Sequence, residues 1–211
     1  MERDTLEKAL VAAAMTLAEE RGWGSVSVVE SARRANLSLI DVRQYFPSQT
    51  SILLCLGRLA DKNALCEDFS HQVLSDDDIP TDSTSTEGDD RRERLFDMLM
   101  CRLDVFQQYR KGVKSVLRSL PFNPWQAVQV GNATAESMRW IAEAAGLDVH
   151  GFAGMARVGA LVGLWTHVIR VWEQDENVDM GNTMAALEQA LDQGVKWGLL
   201  SSGGLLRAVM S

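Results

Sequence analysis

The sequence predicts an all-α protein, and three observations carry that prediction. Apolar residues recur at three- and four-residue spacing through most of the chain. No alternating Val/Ile-rich run reads as a strand. Near the N-terminus, short helical stretches meet at a tight turn made of Asn36, Leu37 and Ser38.

The first helix is expected from about Thr5 to Glu20, with Leu6, Leu10, Ala13 and Leu17 on one face and Arg21-Gly22 as its stop. A short second helix follows from about Ser27 to Ala35. Asn36 tolerates the left-handed backbone that the next turn needs, and Ser38 with Asp41 approximates a capping box. The third helix runs from Leu39 to about Phe46 and is ended by Pro47. Ser48 or Thr50 then caps a fourth, which carries Ile52, Leu53, Leu56, Leu59 and Ala60 to the core. Residues 1–48 thus read as a helix-turn-helix head and 49–74 as a connecting helix.

Residues 75–90 are dominated by Asp, Ser and Thr and are too polar to bury a core, so they read as a disordered acidic loop. A helical body spans 91–200. It opens with Leu95, Leu99, Leu103 and Phe106 on one helix and is punctuated at Pro121 and Pro124. It resumes with a helix from about Thr134 to Ala145. Residues 152–172 are apolar on almost every face and need cover on all sides. Gly159 and Gly163, four apart, let another helix approach closely. A last helix over 182–198 carries Met184, Leu187, Leu191 and Val195, and 201–211 is a flexible tail.

The net charge of −8 looks unsuited to a nucleic-acid partner until it is located. Residues 1–60 carry seven basic and seven acidic side chains, and 94–211 carry eleven of each. The whole imbalance sits in 61–93, with three basic and eleven acidic. A neutral head is still a weak electrostatic match for phosphates. The start has no apolar stretch suited to a secretory signal, and no uninterrupted apolar run approaches the roughly 20 residues of a membrane span. Cys55, Cys66 and Cys101 are odd in number and lack Cys-x-x-Cys spacing, which fits reduced thiols in the cytoplasm.

Specific residues narrow the helix-turn-helix further. Ala14 to Ala18, Glu20-Arg21-Gly22-Trp23, Val28, Ala32 to Ser38 and Tyr45-Phe46-Pro47-Ser48 occupy the ends and turn of the three helices. On these residues the first 60 positions resemble the TetR family of transcriptional regulators. The resemblance implies a homodimer paired through its last two large helices, with Gly159, Gly163, Leu187 and Leu191 at the interface. It also implies a palindromic DNA operator and a hydrophobic small molecule inside the body. In the major groove, Arg43 suits guanine, Gln44 suits adenine and Leu39 suits a thymine methyl. Ser38, Tyr45 and Gln49 are placed for the backbone, Ser38 with help from the helix dipole. Two positions depart from the family, which usually has Tyr at Arg43 and Lys at Gln49, and Asp41 adds a negative charge.

The body is also similar to the TetR-fold lipid-binding accessory family of ubiquinone biosynthesis. The matching elements are the Arg-rich start near 91, the Pro121-to-Pro124 break, Trp140 to Gly146, Ala160-Leu161 to Trp172, Asp175 and the Thr183-led last helix. That likeness implies an isoprenoid ligand, an enzyme partner and no DNA binding. Its membrane-facing C-terminal helix would fall on Trp197, Leu199, Leu200, Leu205 and Leu206, a run broken by Gly203-Gly204.

For a ligand, the large adaptable groups are Trp125, Met138, Trp140, Met155, Trp165 and Trp172, with Arg157 and His167 as rare polar features among apolar neighbours. Core packing is the competing reading of each. His71, His150 and His167 show no metal-ligand spacing, and there is no phosphate loop, nucleophile elbow or Cys/His pairing. No catalytic residue, metal or cofactor is expected.

Overall fold

The computed structural model describes residues 2–75, 86–177, 179–196 and 198, with side chains placed outside 67–75 and 86–87. Every regular element among them is a helix, in keeping with the all-α prediction. In chain order these are α1 (Arg3–Arg21), α2 (Val28–Arg34), α3 (Leu39–Tyr45), α4 (Gln49–Ser75), α5 (Thr86–Gln108), α6 (Arg110–Ser119), α7 (Pro124–Ala144), α8 (Gly151–Gln174) and α9 (Gly181–Lys196).

The local signals act through ordinary capping chemistry. Gly22, at φ +85°, ends α1 and returns its N–H to the Ala18 carbonyl. Ser27 Oγ accepts from Glu30 N at 3.0 Å and caps α2. Asn36 takes φ +54°, and Ser38 Oγ then accepts from Asp41 N at 3.5 Å at the head of α3. Ser48 rather than Thr50 caps α4, accepting from Ser51 N at 3.4 Å.

Three stretches differ from the sequence reading. Thr86–Asp90, read as acidic loop, are the first residues of α5, while 76–85 and the 201–211 tail lie outside the described residues. The helix expected from Thr134 begins at Pro124. Proline suits a first helical position, where its missing N–H has no partner to lose, and Asn123 Oδ1 accepts from Gln126 N at 3.2 Å. α6 was not foreseen. It buries Gly112, Val113 and Val116 and carries Arg110, Lys111, Lys114 and Arg118 around the remaining arc.

The chain forms two compact units, residues 1–62 with 103–134 and residues 63–102 with 135–211. In the first, α1 buries Leu6, Leu10, Met15 and Leu17 and packs on α2 and α6. The α1–α6 contact is close: a Cβ on Gly112 would stand 2.5 Å from the Met15 carbonyl oxygen. Trp23 follows α1 in a single 3₁₀ turn and is buried. Its backbone N–H donates to Ser115 Oγ at 2.8 Å.

In the second unit α8 and α9 pack together, with Leu161, Val168 and Trp172 of α8 and Leu187 and Leu191 of α9 all buried. Asp175, between these helices and 2% exposed, anchors the start of α9. Its carboxylate accepts from Thr183 N at 2.9 Å, Thr183 Oγ1 at 2.8 Å and Asn182 Nδ2 at 3.2 Å. By length and composition α8 is apolar enough to cross a membrane. Arg157, His167 and Arg170 interrupt that run in the sequence.

Candidate nucleic-acid interface and body cavity

α3 is held by one narrow stripe. Val42 and, just beyond the helix, Phe46 are each 1% exposed, and the other six α3 residues face solvent. Ser38, Leu39, Arg43, Gln44 and Tyr45 are therefore all on the surface, joined by Ile40 and Asp41. Arg43 Nη1 donates to the Pro47 carbonyl at 3.0 Å, which orients the guanidinium along the end of the helix. Arg3 lies over the Tyr45 ring, 5.3 Å from its centroid. Gln49 is placed differently from the sequence expectation: it is half-buried, and its Nε2 donates inward to the Trp23 carbonyl at 2.6 Å. That bond engages the side-chain nitrogen in holding α4 to the Trp23 turn.

Ion pairing decides how much charge this surface offers. Of the seven basic residues in 1–60, five contact carboxylates: Arg3 and Arg58 at Glu7, Lys8 at Asp4, Arg21 at Glu30 and Arg34 at Glu20. The Arg34–Glu20 pair is a two-pronged fork, and its hydrogen bonds hold the Glu20 carboxyl below and the Arg34 guanidinium above their ordinary values. Among the described residues Arg33 and Arg43 have no carboxylate partner. The acidic excess is elsewhere: the unit containing the head carries twelve basic and nine acidic residues, a net +3, and the other carries nine and twenty, a net −11. Counting only 1–60 misses the four cations of α6, which the fold assigns to the same unit as the head.

The body cavity occupies about 430 Å³ between α8 and α9. Leu147, Leu161, Leu164 and Leu191 supply much of its wall, with Arg157, His167 and Gln193 as its polar members. Of the residues singled out for a ligand from sequence, Arg157 and His167 line it and none of the large aromatic or methionine side chains does. Trp165 and Met138 are buried elsewhere in the second unit, and Arg102 lies over the Trp165 ring at 5.1 Å. Burial pushes the Arg102 guanidinium down to about 10, still charged at neutral pH. Trp140 and Met155 are exposed, at 60% and 66%, and Trp125 is an exposed residue of the first unit. Helical spacing alone could not tell these outward aromatic positions from inward ones.

The residues assigned to a dimer interface also divide. Leu187 and Leu191 are fully buried within a single chain, because α9 uses them to pack on α8. Gly159 and Gly163 are exposed, and a Cβ added at either meets nothing within 4 Å. They lie along a solvent-facing stripe of α8 with Phe152, Met155 and Ala156. Among the described residues nothing covers this apolar stripe.

No family model and no curated protein matches the sequence. Solved structures do match. A TetR transcriptional regulator from Nitrosomonas europaea ATCC 19718 aligns over 90% of this chain and 98% of its own, with a TM-score of 0.69 and 21% identity. A TetR transcriptional regulator from Rhodococcus sp. RHA1 aligns over 91% and 97%, with a TM-score of 0.53 and 17% identity. At these identities the likeness is one of fold: from head to last helix the chain has the fold of these regulators.

Proposed function

We propose that this protein is a cytoplasmic, homodimeric, DNA-binding transcriptional regulator without enzymatic activity, whose body takes a hydrophobic small molecule. The observation that carries the reading is α3 itself. It is anchored by Val42 and Phe46 and turns Arg43 and Gln44 outward, the two residue types best suited to purine edges in the major groove. Ser38 at its start and Tyr45 at its end serve the phosphate backbone, and Leu39 a thymine methyl. The net +3 of the surrounding unit supports the same reading.

Dimerisation is supported by the open α8 stripe, where Gly159 and Gly163 leave room for a partner helix. Two heads held by such a dimer fit a near-palindromic site with half-sites one helical turn apart. A ligand acts by population shift, binding the DNA-incompetent arrangement more tightly than the competent one.

The test is enrichment of genomic DNA fragments by the purified protein at two salt concentrations. A shared palindromic site, held more weakly as salt rises, is the expected result. No enrichment over background at low salt without ligand overturns the reading, and a co-purifying isoprenoid would then favour a lipid-binding accessory role.

A further inference from the structure

We propose that Ile40 is a base-reading residue, which selects thymine through its C5-methyl group and, together with Gln44, sets a thymine and an adenine within two base pairs of each other in each half-site. The inference deepens the reading of a DNA-binding regulator and rests on it.

The orientation of α3 decides which side chains stand foremost. Val42, and Phe46 just beyond the helix, are each 1% exposed and mark the side that faces the head. At about 100° per residue, the positions two before and two after Val42 are turned about 160° away from it. Those positions are Ile40 and Gln44, and both are exposed. Exposure follows the same geometry: Ile40 is 83% exposed, whereas Leu39 and Tyr45 are 43% and 41% exposed. The last two lie only about 60° from Val42. Arg43 and Asp41 stand on the two flanks, and Arg43 is drawn toward the end of the helix by its 3.0 Å bond to the Pro47 carbonyl. A major groove that admits α3 with its buried stripe against the head therefore meets Ile40 and Gln44 first.

The chemistry of the two side chains then names the bases. Ile40 has no hydrogen-bonding group, so it can neither hold a phosphate nor pair with a polar base edge. In the major groove the thymine C5-methyl is the one apolar group that the four bases present. Burying that methyl against Ile40 is favourable, while a G·C pair in its place would lose water from polar edges and gain no partner. Gln44 suits the N6 and N7 edge of adenine. Four residues of helix advance about 6 Å, less than two base-pair steps of about 3.4 Å, which sets the spacing. Among the described residues Ile40 supports no part of the core, so replacing it reads binding rather than folding.

The test is selection from a random duplex library by the purified full chain, with the library amplified in parallel with dTTP and with dUTP. Uracil deletes the methyl and keeps the hydrogen-bonding edge of thymine. A site carrying the thymine–adenine pairing should emerge from the dTTP library. Its uracil form should bind about fourfold more weakly for each half-site, as one buried methyl predicts. Single deoxyuridine substitutions then locate the methyl, and 5-methylcytosine at that position should bind more tightly than cytosine. Ile40→Ala should hold the thymine and uracil forms equally. Methyl sensitivity that persists in Ile40→Ala overturns the proposal, and its loss in Leu39→Ala would assign the methyl to that neighbour. Equal binding of both forms by the unaltered protein also overturns it, and leaves the regulator standing. No enrichment from either library sinks the regulator and the proposal together.

Discussion

Trp23 Nε1 donates a hydrogen bond of 3.0 Å to Gln126 Oε1 across 103 residues of sequence, and both side chains are buried. Gln126 Nε2 continues the chain to Thr50 Oγ1 at 3.2 Å. One amide thus joins the turn after α1, the start of α4 and the start of α7 within a single unit. Gln126→Leu leaves a buried indole N–H without its acceptor and is expected to cost about 1–3 kcal/mol. Pairing it with Trp23→Phe should recover part of that loss. Urea unfolding of both single variants and the double variant reads the coupling directly, and additive losses would show that the bond is not where the energy lies.

The glycines give opposite expectations. Gly112→Ala forces a methyl against the Met15 carbonyl and should destabilise by roughly 1–3 kcal/mol. Gly159→Ala, exposed on α8 with open space around it, should stabilise the isolated chain by up to about 1 kcal/mol through helix propensity. Gly159→Leu should leave the fold intact and shift sedimentation toward monomer. A dimer indifferent to that leucine pairs through some other surface.

At the DNA interface the two kinds of arginine should separate. Arg43→Ala is expected to cost roughly 1–3 kcal/mol and relax one position of the operator. Glu20→Gln removes the carboxylate that holds Arg34 and should strengthen binding to every sequence alike, with steeper salt dependence. Competition binding against operator and random duplex distinguishes the two effects. Uniform weakening by Arg43→Ala would make that residue a phosphate contact instead.

Asp175 contributes a pH dependence of definite sign. Burial pushes its carboxyl upward, but hydrogen bonds from Thr183, Asn177 and Asn182 outweigh this and hold it below its ordinary value. The stability it supplies is therefore complete above the unfolded carboxyl range, about pH 4, and is lost as pH falls through the lower folded value. At neutral pH, Asp175→Asn should lower stability by about 1.5–3 kcal/mol, since an amide nitrogen replaces one acceptor. Melting curves of the two proteins should converge in acid. A constant gap down to pH 2 would contradict the assignment.

The three thiols should react unequally. Burial raises the Cys55 thiol to about 12, Cys101 is also buried, and Cys66 is exposed. With Ellman's reagent at pH 8, one equivalent should appear quickly and the other two only in denaturant. Fast reaction of all three would mean that the covering helices open readily.

The head was legible in sequence because its signals are local. Gly22, Ser27, Asn36 and Pro47 each impose a backbone conformation or a cap on the few residues around them, and the helices end where those residues say. The inward bond of Gln49 was not legible because its partner, the Trp23 carbonyl, is distant in sequence. The body was legible only as helices. The same three- and four-residue spacing describes buried Trp165 and exposed Trp140, and only the packing of neighbouring helices separates them. Leu187 and Leu191 were assigned to an interface between chains because an apolar stripe does not say what covers it. Gly159 differs from them in that none of the described residues fills the space beside it.

The placement of the indoles gives the protein a built-in spectroscopic division. Among the described residues, the first unit carries Trp23 in its core and Trp125 in water, and the second carries Trp165 and Trp172 inside and Trp140 outside. Iodide should therefore quench the red-emitting population of either unit and spare the blue one until that unit melts. With Trp125→Phe, Trp140→Phe and Trp197→Phe in place, the remaining blue emission comes from buried reporters on both sides of the division. Removing Trp23 as well leaves Trp165 and Trp172 to report the second unit alone, and comparing the two transitions shows whether the molecule unfolds in one cooperative event or two.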